Sequence, residues 1–218
     1  MSVVVDKFIV ALLHLFSFLG LAEAQNRLGR RYEEGDGLIK DDNKAVKWYT
    51  RASESGHEYA KSNLGRMYEE GRGVEQDIQR AISLYRSAAE EGHAWSQNSL
   101  GCILSSGKYV PVDYAEAVEW YRKSADQGFT WAQLNLGWAY YDGKGVPQDY
   151  AKAAAYYRQA ADQGIPQAKY NLGLMYLDGY GVAQSDELAY QLLKEAYDGG
   201  VIDAKKPLNI AKSRMQNE

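Results

Sequence analysis

Four features of this sequence use residue types that carry out chemistry in enzymes and metal sites. Ser105-Ser106-Gly107-Lys108 has the Ser-x-x-Lys spacing of a serine nucleophile activated by a lysine. His57 and His93 are imidazoles, the commonest general bases. Paired glycines, from Gly35-Asp36-Gly37 to Gly179-Tyr180-Gly181, have the outline of a phosphate-wrapping loop. Cys102 is the one thiol.

Position removes each of these readings. A lysine-activated serine stands at a helix start, and Ser105 falls at the end of a helical pattern with no Ser-Asp-Asn or Lys-Thr-Gly partner motif in the chain. His57 and His93 lie 36 residues apart, each just after a helix-ending glycine, as paired positions rather than as a base with its orienting partner. The Gly-x-Gly turns follow helices, not strands, and no Lys-Ser or Lys-Thr follows them. A lone cysteine forms no intramolecular disulfide, and no Cys/His spacing matches a zinc site. The expectation is of no catalytic residue, no metal and no cofactor.

The 36-residue step governs the whole chain. Leu-Gly recurs at Leu28-Gly29, Leu64-Gly65, Leu100-Gly101, Leu136-Gly137 and Leu172-Gly173. Further columns in the same register are Gly35 to Gly179, Gly56 to Gly200, and Ala45 to Ala189. Such a period marks a stacked-repeat architecture. Within a unit the spacing turns helical. Ala60, Leu64, Met67 and Tyr68 form one stripe, and Ala81, Leu84, Tyr85, Ala88 and Ala89 a second. Glycine ends the first helix, where a left-handed residue is required. Asp41, Asp77, Asp113, Asp149 and Ser185 stand where the second helix needs an N-cap. The Gly65 column lets the partner helix approach closely, with Tyr49, Tyr85, Tyr121 and Tyr157 filling the gap. One hairpin buries a single side, so stacked hairpins must share a core.

The pattern "AKSNLGRMYEEGRGVEQDIQRAISLYRSAAEEG", repeated closely in "AQLNLGWAYYDGKGVPQDYAKAAAYYRQAADQG", resembles a Sel1-like repeat, a relative of the tetratricopeptide repeat. The resemblance runs from about Gly20 to Gly200. It implies an all-α fold, an α-solenoid of five 36-residue hairpins, right-handed by analogy with helical repeats, and a curved scaffold or adaptor for protein interaction. The repeats are expected at 22–57, 58–93, 94–129, 130–165 and 166–201, followed by a C-terminal capping helix over 202–218 in which Asn209 replaces the glycine and Lys212 the tyrosine. The third unit departs at Leu104 and Tyr109, which predicts a locally different turn. Some secreted relatives staple each hairpin with a cysteine pair, which this chain lacks. Others are described as binding or hydrolysing β-lactams.

Residues 8–19, "FIVALLHLFSFL", precede Ala22-Glu23-Ala24 and have the length of a signal h-region, too short to span a bilayer comfortably. Where later second helices carry Lys47, Arg51 and Glu54, this segment carries Ala11, Leu15 and Phe18, unlike a water-facing helix. Residues 1–21 therefore read as a signal peptide cleaved near Ala22–Ala24, and the protein as exported. Two points favour a rival half-repeat helix in a cytoplasmic adaptor: Gly20 keeps repeat register, and Lys7 alone makes a poor basic n-region.

The 218-residue chain carries a net charge of −4 with no basic block, which argues against nucleic acid as a partner. The face opposite each first helix's buried stripe grades from charged (Glu23, Asn26, Arg27, Arg30, Glu33, Glu34) to aromatic. Candidate binding residues are Arg30 and Arg66 for a carboxylate, Asn63, Asn135 and Asn171 for a peptide backbone, and Trp95, Trp131, Trp138, Tyr170 and Leu174 as apolar anchors. The competing reading is that the aromatics pack between neighbouring first helices and the asparagines bond between units. The expected partner is a protein or peptide in the concave groove, bound by a monomer without stable membrane insertion. The alternative is a cell-wall peptide or β-lactam-like ligand.

Overall fold

The computed structural model describes residues 3–216, and of their side chains those of 9–216. Residues 1–2 and 217–218 of the expected terminal segments lie outside it. Among the described residues there are twelve α-helices, one short 3-10 turn and no strand. Helix α1 (Val3–Phe18) precedes five successive hairpins: α2 (Ala22–Glu34) and α3 (Asp42–Glu54), α4 (Glu58–Glu70) and α5 (Ile78–Glu90), α6 (Ala94–Ser106) and α7 (Tyr114–Asp126), α8 (Thr130–Asp142) and α9 (Tyr150–Asp162), α10 (Pro166–Asp178) and α11 (Asp186–Asp198). The 3-10 turn Ile202–Ala204 leads into α12 (Lys205–Met215). This is the all-α solenoid of helical hairpins that the period predicts. The chain divides into two compact units, residues 1–103 and 104–218.

Helix ends follow from local chemistry. The side chains of Asp41, Asp77, Asp113, Asp149 and Ser185 accept hydrogen bonds from the backbone N–H three residues on, at 3.0, 2.9, 2.9, 2.9 and 3.2 Å. Each cap is worth about 1 kcal/mol, because it satisfies a donor with no intrahelical partner. First helices stop where Gly35, Gly71, Gly143 and Gly179 turn left-handed, with φ between 68° and 77°. In the third unit Tyr109 stands where the others have a second turn glycine of φ 67–74°. No described non-glycine residue has positive φ, so that turn takes a different path, as expected.

Second helices close by a repeated pair of hydrogen bonds. The N–H groups of Gly56 and His57 donate to Ser53 O and Ala52 O, and the same pair recurs through Gly200 and Val201. Helix α1 ends identically: Gly20 N–H donates to Ser17 O and Leu21 N–H to Phe16 O. The Gln25 side-chain amide also donates to Ser17 O at 3.0 Å, as Gln97 does to Ala89 O in register. Helix α1 thus occupies the place of a second helix. Among the described residues, no helix is long and apolar enough to cross a membrane.

Packing within a hairpin turns on glycine. A Cβ on Gly29, Gly65 or Gly137 would lie 2.4–2.7 Å from the ring of Tyr49, Tyr85 or Tyr157, so only glycine admits the tyrosine that fills the seam. In the first unit Ala45, Tyr49, Leu64 and Met67 form a buried cluster, with Tyr32, Val46, Tyr68 and Leu84 around it. In the second, Leu177, Ala189, Leu193 and Ala196 continue into Ala204 of the 3-10 turn and Ala211 of the terminal helix.

Hairpins within each unit also clamp through their turns. Cβ atoms on Gly73 and Gly145 would stand 2.3 and 2.2 Å from the carbonyl oxygens of Asp42 and Tyr114. The residue before each of these glycines reaches the first residue of the preceding second helix. Arg72 pairs with Asp42 at 2.9 Å, and the Lys144 ammonium lies 5.5 Å from the Tyr114 ring centroid. One step on, Tyr180 stacks on Tyr150 at 5.1 Å. The terminal helix supplies a substitute, Arg214, which bonds Leu177 O at 3.0 Å and pairs with Asp186 at 3.4 Å.

Candidate binding face

In the first unit, α2 and α4 bring charged residues of the candidate face together and bury some of them. Glu33, expected on the open face, is only 8% exposed, as is Asn26 at 7%. Arg66 binds both Glu33 carboxylate oxygens, at 2.7 and 2.8 Å. Tyr49 Oη donates to the same carboxylate at 2.8 Å, and Arg72 at 2.9 Å. Burial alone would raise the Glu33 pKa, but the Arg66 and Tyr49 hydrogen bonds and the Arg66 and Arg72 charges hold it down at about 2. Burial, joined by the charge of this carboxylate and the bond to it, drives the Tyr49 phenol far above its usual range. The Arg66 guanidinium is thereby committed within the protein.

Asn63 is committed as well: its amide donates to Asn26 Oδ1 at 3.0 Å. Arg30 is the more open arginine, in a 3.3 Å pair with Glu34 in which both side chains are more than half exposed. Trp95 sets its edge against Tyr85, 5.5 Å between centroids. Asn63, Arg66 and Trp95 line one cavity of ≈ 360 Å³ together with Tyr59, Ser62 and His93. Tyr59, 54% exposed, and His93 meet edge to face at 4.6 Å. His93 caps its helix through Nδ1, which accepts from Ser96 N–H at 3.3 Å, and burial lowers its pKa.

In the second unit the face is aromatic. Trp131 is 51% exposed. Trp138 is half-buried, edge-on to Tyr114 at 6.0 Å and 4.4 Å below the Lys144 ammonium. Asn135 is half-buried. Asn171 accepts from the Gln167 amide at 3.2 Å. Tyr170 and Leu174 pack against the C-terminal core cluster, so these two serve packing. Tyr150 joins Tyr141, at 5.2 Å, to Tyr180 in a run of rings. Tyr114, Tyr150 and Tyr180 were missed from the sequence, although the recurrence of Tyr114 and Tyr150 at one helix-start position was a usable signal.

The residues considered for chemistry have structural partners. Ser105 Oγ and Tyr121 Oη share a 2.9 Å hydrogen bond, in register with the Glu33–Tyr49 and Glu69–Tyr85 bonds. The Lys108 ammonium lies over the Tyr109 ring at 4.5 Å. His57 caps α4 through Nδ1, and its Nε2 bonds Glu23 at 2.7 Å. Among the described residues no cluster of His, Cys, Asp or Glu is arranged to hold a metal ion.

Capped hairpins closed around a glycine–tyrosine seam define a helical-repeat scaffold. The chain belongs to the Sel1 repeat family, whose model matches residues 22–57, 59–93, 96–129, 132–165 and 166–201. Among solved structures it is similar to a protective antigen of uropathogenic Escherichia coli strains displaying an SLR fold: 38% identity, TM-score 0.84, covering 88% of this chain and 41% of that one. It is also similar to a Sel1 repeat protein of Oxalobacter formigenes (34%, TM-score 0.81, 87% and 75% covered). An immunity protein of Pseudomonas aeruginosa matches at 25% identity and TM-score 0.53, with 84% and 67% covered. The chain thus spans less than half the length of the E. coli protein. No protein of curated function matches it. Sel1 repeat proteins serve generally as scaffolds for protein interaction.

Proposed function

We propose that this protein is a non-enzymatic scaffold that holds a peptide segment or protein domain against its first helices. The observation that carries the reading is the exposure of large aromatic side chains at one register position, Tyr59 in the first unit and Trp131 in the second. Large rings left in water at the start of a first helix add little to packing, and aromatic residues dominate interface energetics. Trp138 and Asn135 would extend the contact in the second unit, and Arg30 would supply charge in the first. Arg66 and Asn63 act indirectly, by fixing α4 on α2. The test is a pull-down from the native cell with Trp131→Ala and Tyr59→Ala. Loss of captured partners by each variant, with the helix content intact, is expected. Wild-type capture by both variants would refute the assignment.

Helix α1 keeps repeat register to its last hydrogen bond, which favours its retention as a half-unit. A second reading, export with cleavage near Ala22–Ala24, is favoured by the exposed, uncharged Leu15, Phe18, Leu19 and Leu21. Cleavage after Ala24 would remove α1 and leave Gln25 at the new terminus. The intact mass of protein from its native cell separates the two. A nitrocefin assay with Ser105→Ala as control tests the β-lactam alternative. No Ser105-dependent turnover is expected, because that hydroxyl is bonded to Tyr121.

A further inference from the structure

The fourth and fifth hairpins each set a tyrosine of the first helix beneath the second, Tyr140 in α8 and Tyr176 in α10. In the fourth hairpin that ring is covered. Tyr156 of α9 stacks on Tyr140 with 5.7 Å between centroids and 8° between planes. The Lys152 ammonium lies 5.3 Å from the same centroid, and Tyr140 is only 8% exposed. Burial pushes the Tyr156 phenol above its usual range; Tyr140 and Asp126 add to this, while Arg122 and Lys152 oppose it. These four side chains surround its hydroxyl.

Thirty-six residues on, both covering residues are leucines: Leu192 replaces Tyr156, and Leu188 replaces Lys152. The surroundings are kept. Arg158 donates to the Tyr176 hydroxyl at 2.6 Å, as Arg122 bonds the Tyr140 side chain, and Asp162 repeats Asp126. A cavity of ≈ 390 Å³ opens over Tyr176, lined also by Leu188, Leu192, Arg158 and Asp162. Tyr176 is half-buried and Leu188 is 41% exposed. The walls, α9 and α11, and the floor, α10, are all in place, so the space arises from two side-chain replacements. The second hairpin also has a leucine at the ring position, Leu84, but there Arg80 covers Tyr68 at 4.7 Å. The fifth hairpin has neither the ring nor the cation at these positions.

We propose that this cavity receives a tyrosine side chain of a partner protein. The incoming ring lies on Tyr176 beside Leu188 and Leu192, as Tyr156 lies on Tyr140, and its hydroxyl donates to Asp162. Two cations, Arg158 and Lys169, and two acids, Asp162 and Glu195, line the cavity. Lys169 pairs with Glu195 at 2.6 Å. The lining therefore has no net charge, which matches a neutral ring and not an ion. Offset-stacked rings gain beyond the area they bury, and tyrosine is among the residues that dominate interfaces. Neither Trp131 nor Tyr59 lines the cavity, so this site goes beyond the first-helix contact proposed above.

The test uses the full chain and p-cresol, the free side chain of tyrosine, followed by methyl NMR at Leu188 and Leu192. Saturable shifts are expected at both. Asp162→Ala removes the acceptor, which weakens p-cresol about fivefold and leaves toluene unchanged. Leu192→Tyr fills the cavity from within and abolishes binding. Leu188→Lys, at an exposed site that leaves the fold undisturbed, abolishes it by restoring the covering cation. A partner captured by the wild type is lost to both variants and displaced by p-cresol. No saturable shift, or tighter binding of methylguanidinium than of p-cresol, overturns the proposal. So does p-cresol binding without a partner that the two variants lose, which would assign the cavity to a free aromatic compound. Self-association abolished by Leu192→Tyr would put a second copy there and overturn it as well. Trp131→Ala leaves p-cresol binding unchanged, so this result and the first-helix assignment fail separately.

Discussion

Glu33→Gln is the sharpest probe of the first unit, because one carboxylate there holds three side chains from three elements. Its side chain is 9% exposed, and its proton affinity falls from an ordinary pKa of 4.5 to about 2. A tenfold change in proton affinity is about 1.4 kcal/mol, so ionised Glu33 favours the folded state by ~3 kcal/mol. The glutamine keeps the shape and loses the charge, leaving Arg66 half-buried opposite a neutral amide. The expected loss at pH 7 is about 2–3 kcal/mol, somewhat below the ~3–5 kcal/mol for breaking a fully buried pair, because Arg66 and Arg72 remain partly exposed to water. The sign against pH follows from the depressed value. The contribution is complete above about pH 4.5 and is lost as pH falls through about 2. Urea unfolding of wild type and variant at stepped pH should therefore show two curves that converge on acidification. Because repeat stability is carried by neighbouring interfaces, Trp48 fluorescence in the first unit is the signal to follow. A gap below about 0.5 kcal/mol at pH 7, or a gap that stays constant down to pH 2.5, would refute the argument.

Two further comparisons follow from the backbone and from α1. Gly145→Ala places a Cβ 2.2 Å from Tyr114 O at φ 74°, while Gly164→Ala, at φ 91°, meets nothing within 4 Å. The first should cost more than about 3 kcal/mol and the second about 1 kcal/mol, the strain of a left-handed alanine alone. Equal losses in thermal denaturation would show that the close approach is not the cause. Ser17 Oγ is buried without a hydrogen-bond partner among the described residues, and three of its five register counterparts, Ala89, Ala125 and Ala161, are alanine. Ser17→Ala should stabilise the α1 end by up to about 1 kcal/mol, read as slower hydrogen exchange at Leu19–Leu21. Faster exchange there would contradict the packing described for α1.

The backbone features were legible because their causes lie within a few residues. A left-handed glycine at position 35, an aspartate cap at position 41 and the pairing of Gly29 with Tyr49 are demands that one hairpin makes on itself. They recur with the period and so declare themselves. The departure at Tyr109 was legible for the same reason, since a tyrosine rejects the positive φ that its column requires. The candidate binding face was harder. Glu33 and Arg66 look like open groove charges on their own helices, yet each is the other's partner across the step from α2 to α4.

By itself, then, the sequence determined the period, the hairpin, the caps and the family. Each rests on short-range sterics and hydrogen bonding repeated often enough to read. Tertiary structure alone decided which polar residues are used up in holding the stack. It turned Arg66 and Asn63 inward, kept Trp131 and Tyr59 outward, and gave α1 the hydrogen bonds of a second helix. The physical reason is that burial of a charge is settled by what the next helix brings to it. In this chain the partner lies some 33 residues away, beyond the reach of any pattern within one helix.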